Sequence, residues 1–292
     1  LAMGLSWAVE HPTRSSVVPN IVPIQNMVNA FALLMLAFTG PRLAVPILGG
    51  LLIIAIGPGR TMWLGSAMYL GASVTIMLVH TIRVSEHKVL PRLTPGQLAD
   101  GARYVRTEPL VLAVLILTGA LSFLFMPFIH GLMPVYASDI FDVGPVGLGL
   151  LISTMGVGAT LCQIVLASVG DFRHKGRVLI FSFALIIATM MSYSYSTSVE
   201  SSIPSLFVLS IAVSIFFTMN VVIIQSVIPD HLRVRVMSLD AMTHSLFPVG
   251  SLLAGGLAQL LGAPGAILIA AGLMAMSVLV ILLRFRSVWN FE

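Results

Sequence analysis

Four side chains with ionic, titratable or amide chemistry stand within or at the start of long apolar stretches: Arg42, Asn220, Asp240 and His244. A charged side chain at the centre of a bilayer costs roughly 2.5–3.5 kcal/mol on insertion scales, so it has to face protein or water. Arg42 reads in one of two ways. It is a counter-charge in a central cavity or gating network, or a clamp on helix-end carbonyls beside Gly40, Pro41 and Pro46. Asn220 and His244 read either as cavity-lining groups or as bridges between helices, which contribute about 0.6 kcal/mol each on average. Bridging is the expectation for Gln163 and Gln225, and His130 is expected at the outer surface. A histidine moves protons near neutral pH, but proton-coupled membrane proteins commonly need a carboxylate that protonates and releases. All eleven Asp and Glu residues fall in connections, at the ends of apolar runs or in the tail, with Asp240 the most embedded.

The elements that position these residues follow from composition. The chain has 292 residues, 58% of them hydrophobic and 9% charged, against about 25% charged in a soluble domain. A soluble enzyme, a disordered protein and a nucleic-acid binder are excluded. The single cysteine, Cys162, cannot form an internal disulfide. No phosphate-binding G-x-x-x-x-G-K-[ST] run is present, and no nucleophile triad or metal-ligand spacing emerges, so neither an enzyme nor a cofactor is expected. Sixteen Met and fifteen Phe suit a cavity for bulky apolar cargo. Lipid contact and core packing explain them equally well.

A helix needs about 20 apolar residues to cross a bilayer. Runs of that kind lie at about 28–56, 61–82, 109–130, 145–169, 178–197, 203–228, 236–262 and 264–284, which predicts eight complete spans in an all-α polytopic membrane protein. Residues 1–9 read as the last turns of a further span. Thirteen of the fifteen Lys and Arg residues fall in alternate connections, which by the positive-inside rule places those connections and the C-terminus in the cytoplasm. The basic balance therefore reports topology.

An internal repeat sets the organisation. SSVVPNIVP (15–23) resembles QSVIPDHLR (225–233), and Gly49, Gly50 and Pro58 match Gly255, Gly256 and Pro264 at an offset of 206. The four spans from 109 to 228 lack an upstream copy. At the same offset that copy starts about 98 residues before Leu1, giving about twelve spans in two six-span halves. On this reading residues 1–82 are the remnant of the first half, 83–108 the central cytoplasmic loop and 109–292 the second half. The coupling acid is then expected upstream of Leu1, with Asp240 as the alternative. Pro46, Gly49, Gly50, Gly255 and Gly256 are expected to bend or closely pack their helices.

Six segments in order carry a family resemblance: EHPTRSSVVPNIVP (10–23), VNAFAL (28–33) with PRLAVPILGG (41–50), GARYVRTEPLVLAVL (101–115), GLGLLISTMGVGA (147–159), GDFRHKGR (170–177) and QSVIPDHLRVRVMSL (225–239). Together they resemble the major facilitator superfamily, in its bacterial exporter branch of enterobactin-exporter-like and transmembrane secretion effector proteins. The chain departs from that branch at Val45, Ala167, Phe172, Val234 and Asp240. The resemblance implies a proton-driven exporter of small amphipathic molecules in the bacterial plasma membrane, working as a monomer by alternating access. It also implies a cytoplasmic latch in the connection holding Asp171, Arg173, Lys175 and Arg177, with Gly176 supplying turn freedom. Arg233 and Arg235 are the expected partners across that face. Ion pairs of this kind bias a two-state motion by about 1–3 kcal/mol. An uptake permease of the same fold, or a fragment that transports nothing, are the alternatives.

Overall fold

The computed structural model describes residues 41–78, 95–169 and 174–284. Asp171 and Arg173, the segment before Pro41 and the tail after Arg284 lie outside the described residues, as do the side chains of Arg42, Gln225 and Arg233. What is described is helical, with no strand.

Proline starts four of the helices: α1 (Pro41–Ile56), α2 (Pro58–Leu78), α3 (Pro95–Thr107) and α4 (Pro109–Ala120). At the first helical position the missing N–H would have had no partner, and the fixed φ is already helical. The path then runs through α5 (Met126–Val135), α6 (Gly144–Val169), α7 (Lys175–Ser194), α8 (Val199–Val227), α9 (Asp230–Thr243) and α10 (Phe247–Arg284). Ser198 and Ser201 form a capping box at the start of α8. By length and apolarity, five stretches among the described residues can cross a bilayer: Pro109–Ile140, Gly144–Leu166, Lys175–Ser194, Val199–Ile224 and Arg235–Arg284. The last is two spans folded at Gly262, whose φ of 74° and ψ of 163° are not helical. A glycine with positive φ lies directly before Pro58, at Gly57, and two residues before Pro264, at Gly262.

The first of these stretches is longer than the apolar run at 109–130. It continues to Ile140 through wide five-residue π turns at Leu121–Phe125 and Tyr136–Ile140. Proline explains the first interruption. Pro127 has no N–H for the carbonyl four residues back, and its ring would clash there; that carbonyl belongs to Phe123. Gly250 of α10 lies against it, where an added Cβ would fall 2.7 Å from Pro127 Cγ.

Packing relies on small residues, as expected where lipid leaves little hydrophobic gain between helices. Helix α1 lies along α6, with Gly50 against the Pro145 carbonyl and Gly149 against that of Pro46; a Cβ on Gly50 would sit 2.5 Å from the Pro145 oxygen. Gly158 of α6 meets Ser210 and Phe207 of α8. Of the expected packing residues, Pro46 and Gly50 make such a contact. Gly49, Gly255 and Gly256 meet nothing within 4 Å among the described residues, so their close-packing expectation is not met there. The interior is aromatic and aliphatic: Phe183 and Phe216 meet at 5.4 Å, and Tyr136 and Tyr193 at 4.6 Å. Large apolar side chains such as Phe181, Leu252, Leu260 and Leu283 are exposed, a surface suited to lipid and not to water.

Candidate functional site

Two breaks in the helical ladder face each other inside this bundle. One is the π turn at Leu121–Phe125, and the other is a tight 3-10 turn, His244–Leu246, that joins α9 to α10. Such interruptions recur at functional sites. Ser122 bridges them, its Oγ lying 3.1 Å from His244 Nδ1. The His244 ring also stands edge-on to Phe217 at 6.0 Å.

One turn before His244 on α9 is Asp240, only 8% exposed. Asn220 of α8 donates from Nδ2 to Thr118 Oγ1 of α4, and its side chain also interacts with the Asp240 carboxylate. Asp240 Oδ1 is left without a hydrogen-bond partner among the described residues. Three spans thus bring an acid, an amide, an imidazole and two hydroxyls to one place. The sequence pointed to Asn220, Asp240 and His244 separately. It did not bring in Thr118 or Ser122, because hydroxyls in membrane helices usually return to their own backbone, as Thr118 also does to Val114.

A second polar contact lies about 8 Å along α9 from Asp240, at 1.5 Å per residue. There Arg235 Nη1 meets Asp100 Oδ2 of α3 at 3.0 Å. Gly101 permits the approach, since a Cβ on it would stand 3.2 Å from Arg235 Cβ. Tyr104 donates to the Val227 carbonyl at the end of α8 at 3.3 Å. Burial, with the nearby Glu108 carboxylate second, pushes the Tyr104 phenol above its ordinary 10.0.

Asp171, the expected partner of Arg235, lies outside the described residues; among those described, Arg235 pairs with Asp100, carried on α3, which packs onto α9. Residues 83–108 therefore contain a docked helix. Val105 of Pro95–Thr107 is buried. Gly176 also differs from expectation. Among the described residues of that connection, His174 has the left-handed backbone, at φ 64°, while Gly176 is buried in the first turn of α7. Histidine is among the side chains that adopt this conformation more readily than most. Lys175 and Arg177 begin the same helix.

Gln163 reaches Thr218 across α6 and α8 at 3.4 Å, the bridging role expected of it. His130 is exposed and meets Phe125 edge-on at 6.1 Å. No group of three or more His, Cys, Asp or Glu capable of holding a metal occurs among the described residues.

The chain is 22% identical over 227 residues to the multidrug efflux pump Tap of Mycolicibacterium fortuitum, a match covering 74% of this chain and 53% of the pump. It therefore spans about half the length of that curated relative. The sequence profile of the transmembrane secretion effectors, a major facilitator group, matches residues 1–290. With a helical membrane bundle and a match along nearly its whole length, the chain belongs to the transmembrane secretion effector family of the major facilitator superfamily.

Proposed function

We propose that the protein is a secondary active exporter of small amphipathic molecules, driven by proton entry across the bacterial inner membrane. The observation that carries this reading is the polar cluster of Thr118, Ser122, Asn220, Asp240 and His244, set at two helix breaks within an otherwise apolar bundle. Ionisable groups at such depth are expensive and mark transport paths. Family membership and the likeness to an efflux pump support export.

On this reading, residues 1–82 close the first six-span half, 83–108 connect the halves in the cytoplasm, and 109–292 form the second half with the C-terminus inside. The contact of α1 with α6 is then a seam between halves, and rocking about it exposes the central site to each side in turn. The α3 clasp on α9 lies on the cytoplasmic face, and the protein works as a monomer. Arg42, carried on α1, is a candidate counter-charge in the central cavity or in a gating network.

The test is accumulation of ethidium by inside-out vesicles containing the full-length protein. An acid-inside gradient is expected to drive accumulation, and a protonophore to abolish it. Gradient-driven loss of ethidium from the vesicles would favour an uptake permease. No gradient-dependent movement in either direction would overturn the reading.

A further inference from the structure

We propose that Asp240 and His244 form a two-seat proton relay, with His244 as the outer seat and Asp240 as the inner one. This rests on the proton-driven reading above and names the groups that carry the proton. Four observations place the relay here.

The first is position. Asp240 lies in the last turn of α9 and His244, four residues on, is the residue that caps it with helical backbone angles, so the two side chains leave the same side of the helix end. His244 is about 14 Å and Asp240 about 8 Å along the axis from Arg235, whose ion pair with Asp100 marks the polar end of the span. Asn220 lies about 10 Å before Val227 on α8, a comparable depth. The second is exposure. Asp240 is more than nine-tenths buried, while His244 is exposed among the described residues. One seat therefore meets the open side of the bundle and the other does not.

The third is hydrogen bonding. Ser122 engages His244 at Nδ1, at 3.1 Å, so the other ring nitrogen is the one assigned to exchange. Asn220 interacts with the Asp240 carboxylate, whose Oδ1 has no hydrogen-bond partner among the described residues, a position open to a proton. The fourth is charge. Among the described residues, the titratable group whose charge acts on Asp240 is His244; the side chains facing the pair from α4, the π turn and α8 are Thr118, Ser122, Phe217 and Asn220, none of which titrates.

The step balances simply. The His244 imidazolium gives one proton to the Asp240 carboxylate, leaving a neutral imidazole and a neutral carboxylic acid, and the reverse step returns it. Both arrangements of the pair have zero net charge. The proton thus moves inward without placing an unpaired charge among apolar helices, which is the costly alternative. The two helix breaks allow the ring and Ser122 to shift without disturbing an intact ladder.

The test is infrared titration of the full-length protein in liposomes, following the carbonyl stretch of protonated carboxyl groups. The wild type is expected to show a titrating band that Asp240→Asn removes. His244→Gln is expected to keep the band and move its midpoint by about one pH unit or more, a tenfold change in proton affinity. Helix content read from the amide band of each sample verifies the fold. His244→Gln leaves the acid in place, so it tests the pairing even if Asp240→Asn fails to fold. A band unchanged in Asp240→Asn, or a midpoint unmoved in His244→Gln, would overturn the relay. Either result alongside gradient-driven ethidium transport would leave the exporter reading standing. The expected spectra without such transport would support the relay and count against the exporter reading.

Discussion

Individual side chains in this protein act through where the backbone breaks as much as through their chemistry. Asp240 departs from the family pattern at its position, yet it meets an amide from α8 and an imidazole one turn along its own helix. The four-residue spacing of Asp240 and His244 was readable from the sequence. Their packing against α4 and α8 was not, because it depends on the turns at Leu121–Phe125 and His244–Leu246. Tyr104 offers a test at the same scale. Its phenol donates to the Val227 carbonyl, and burial favours the protonated form. Because its folded pKa is raised, the stability it contributes is full below its unfolded value of about 10 and is lost as pH rises through the folded value. Tyr104→Phe is expected to cost about 0.5–1.5 kcal/mol near neutral pH and to lose less stability than the wild type on further alkalinisation. Thermal unfolding of both proteins in detergent, from neutral pH to above about pH 10, reads the difference.

Helix identities were largely legible, whereas helix junctions were legible only in part. Length and apolarity are sums over many residues, so the segments at 145–169, 178–197 and 203–228 coincide closely with α6, α7 and α8. A junction depends on one or two residues. The span from Pro109 runs on to Ile140 through π turns that the apolar run at 109–130 did not announce, while the break at Gly262 falls where the runs at 236–262 and 264–284 already met. The docked helix α3 was missed for a related reason: its charged residues read as a loop, and its contacts are to α9, far along the chain. The α1–α6 seam gives the sharpest test at this scale. Gly50 lies against the Pro145 carbonyl, and a leucine there must push the helices apart. Gly50→Leu is expected to destabilise by about 1–3 kcal/mol, as overpacking does, while Gly49→Leu is expected to cost under about 0.5 kcal/mol because nothing lies within 4 Å. Paired detergent melts of the two variants measure this contrast.

At the scale of the molecule, what matters is which distant segments are brought together. The chain brings a seam, a clasp and a polar cluster onto a small number of helices. The seam is α1 on α6, the clasp is α3 on α9, and the cluster joins α4, α8 and α9. Because α9 carries both Arg235 and Asp240, a change at the polar cluster and a change at the clasp act on one rigid element. Composition could announce a membrane protein, since it is a property of the whole chain, but this convergence is set by packing between distant segments. The most direct measurement is proton counterflow in liposomes that contain the full-length protein and a trapped pH-sensitive dye. Addition of ethidium on the side corresponding to the cytoplasm is expected to acidify that side as protons leave the vesicle, in the wild type and not in Asp240→Asn. Ethidium transport with no proton movement in the opposite direction would contradict the account.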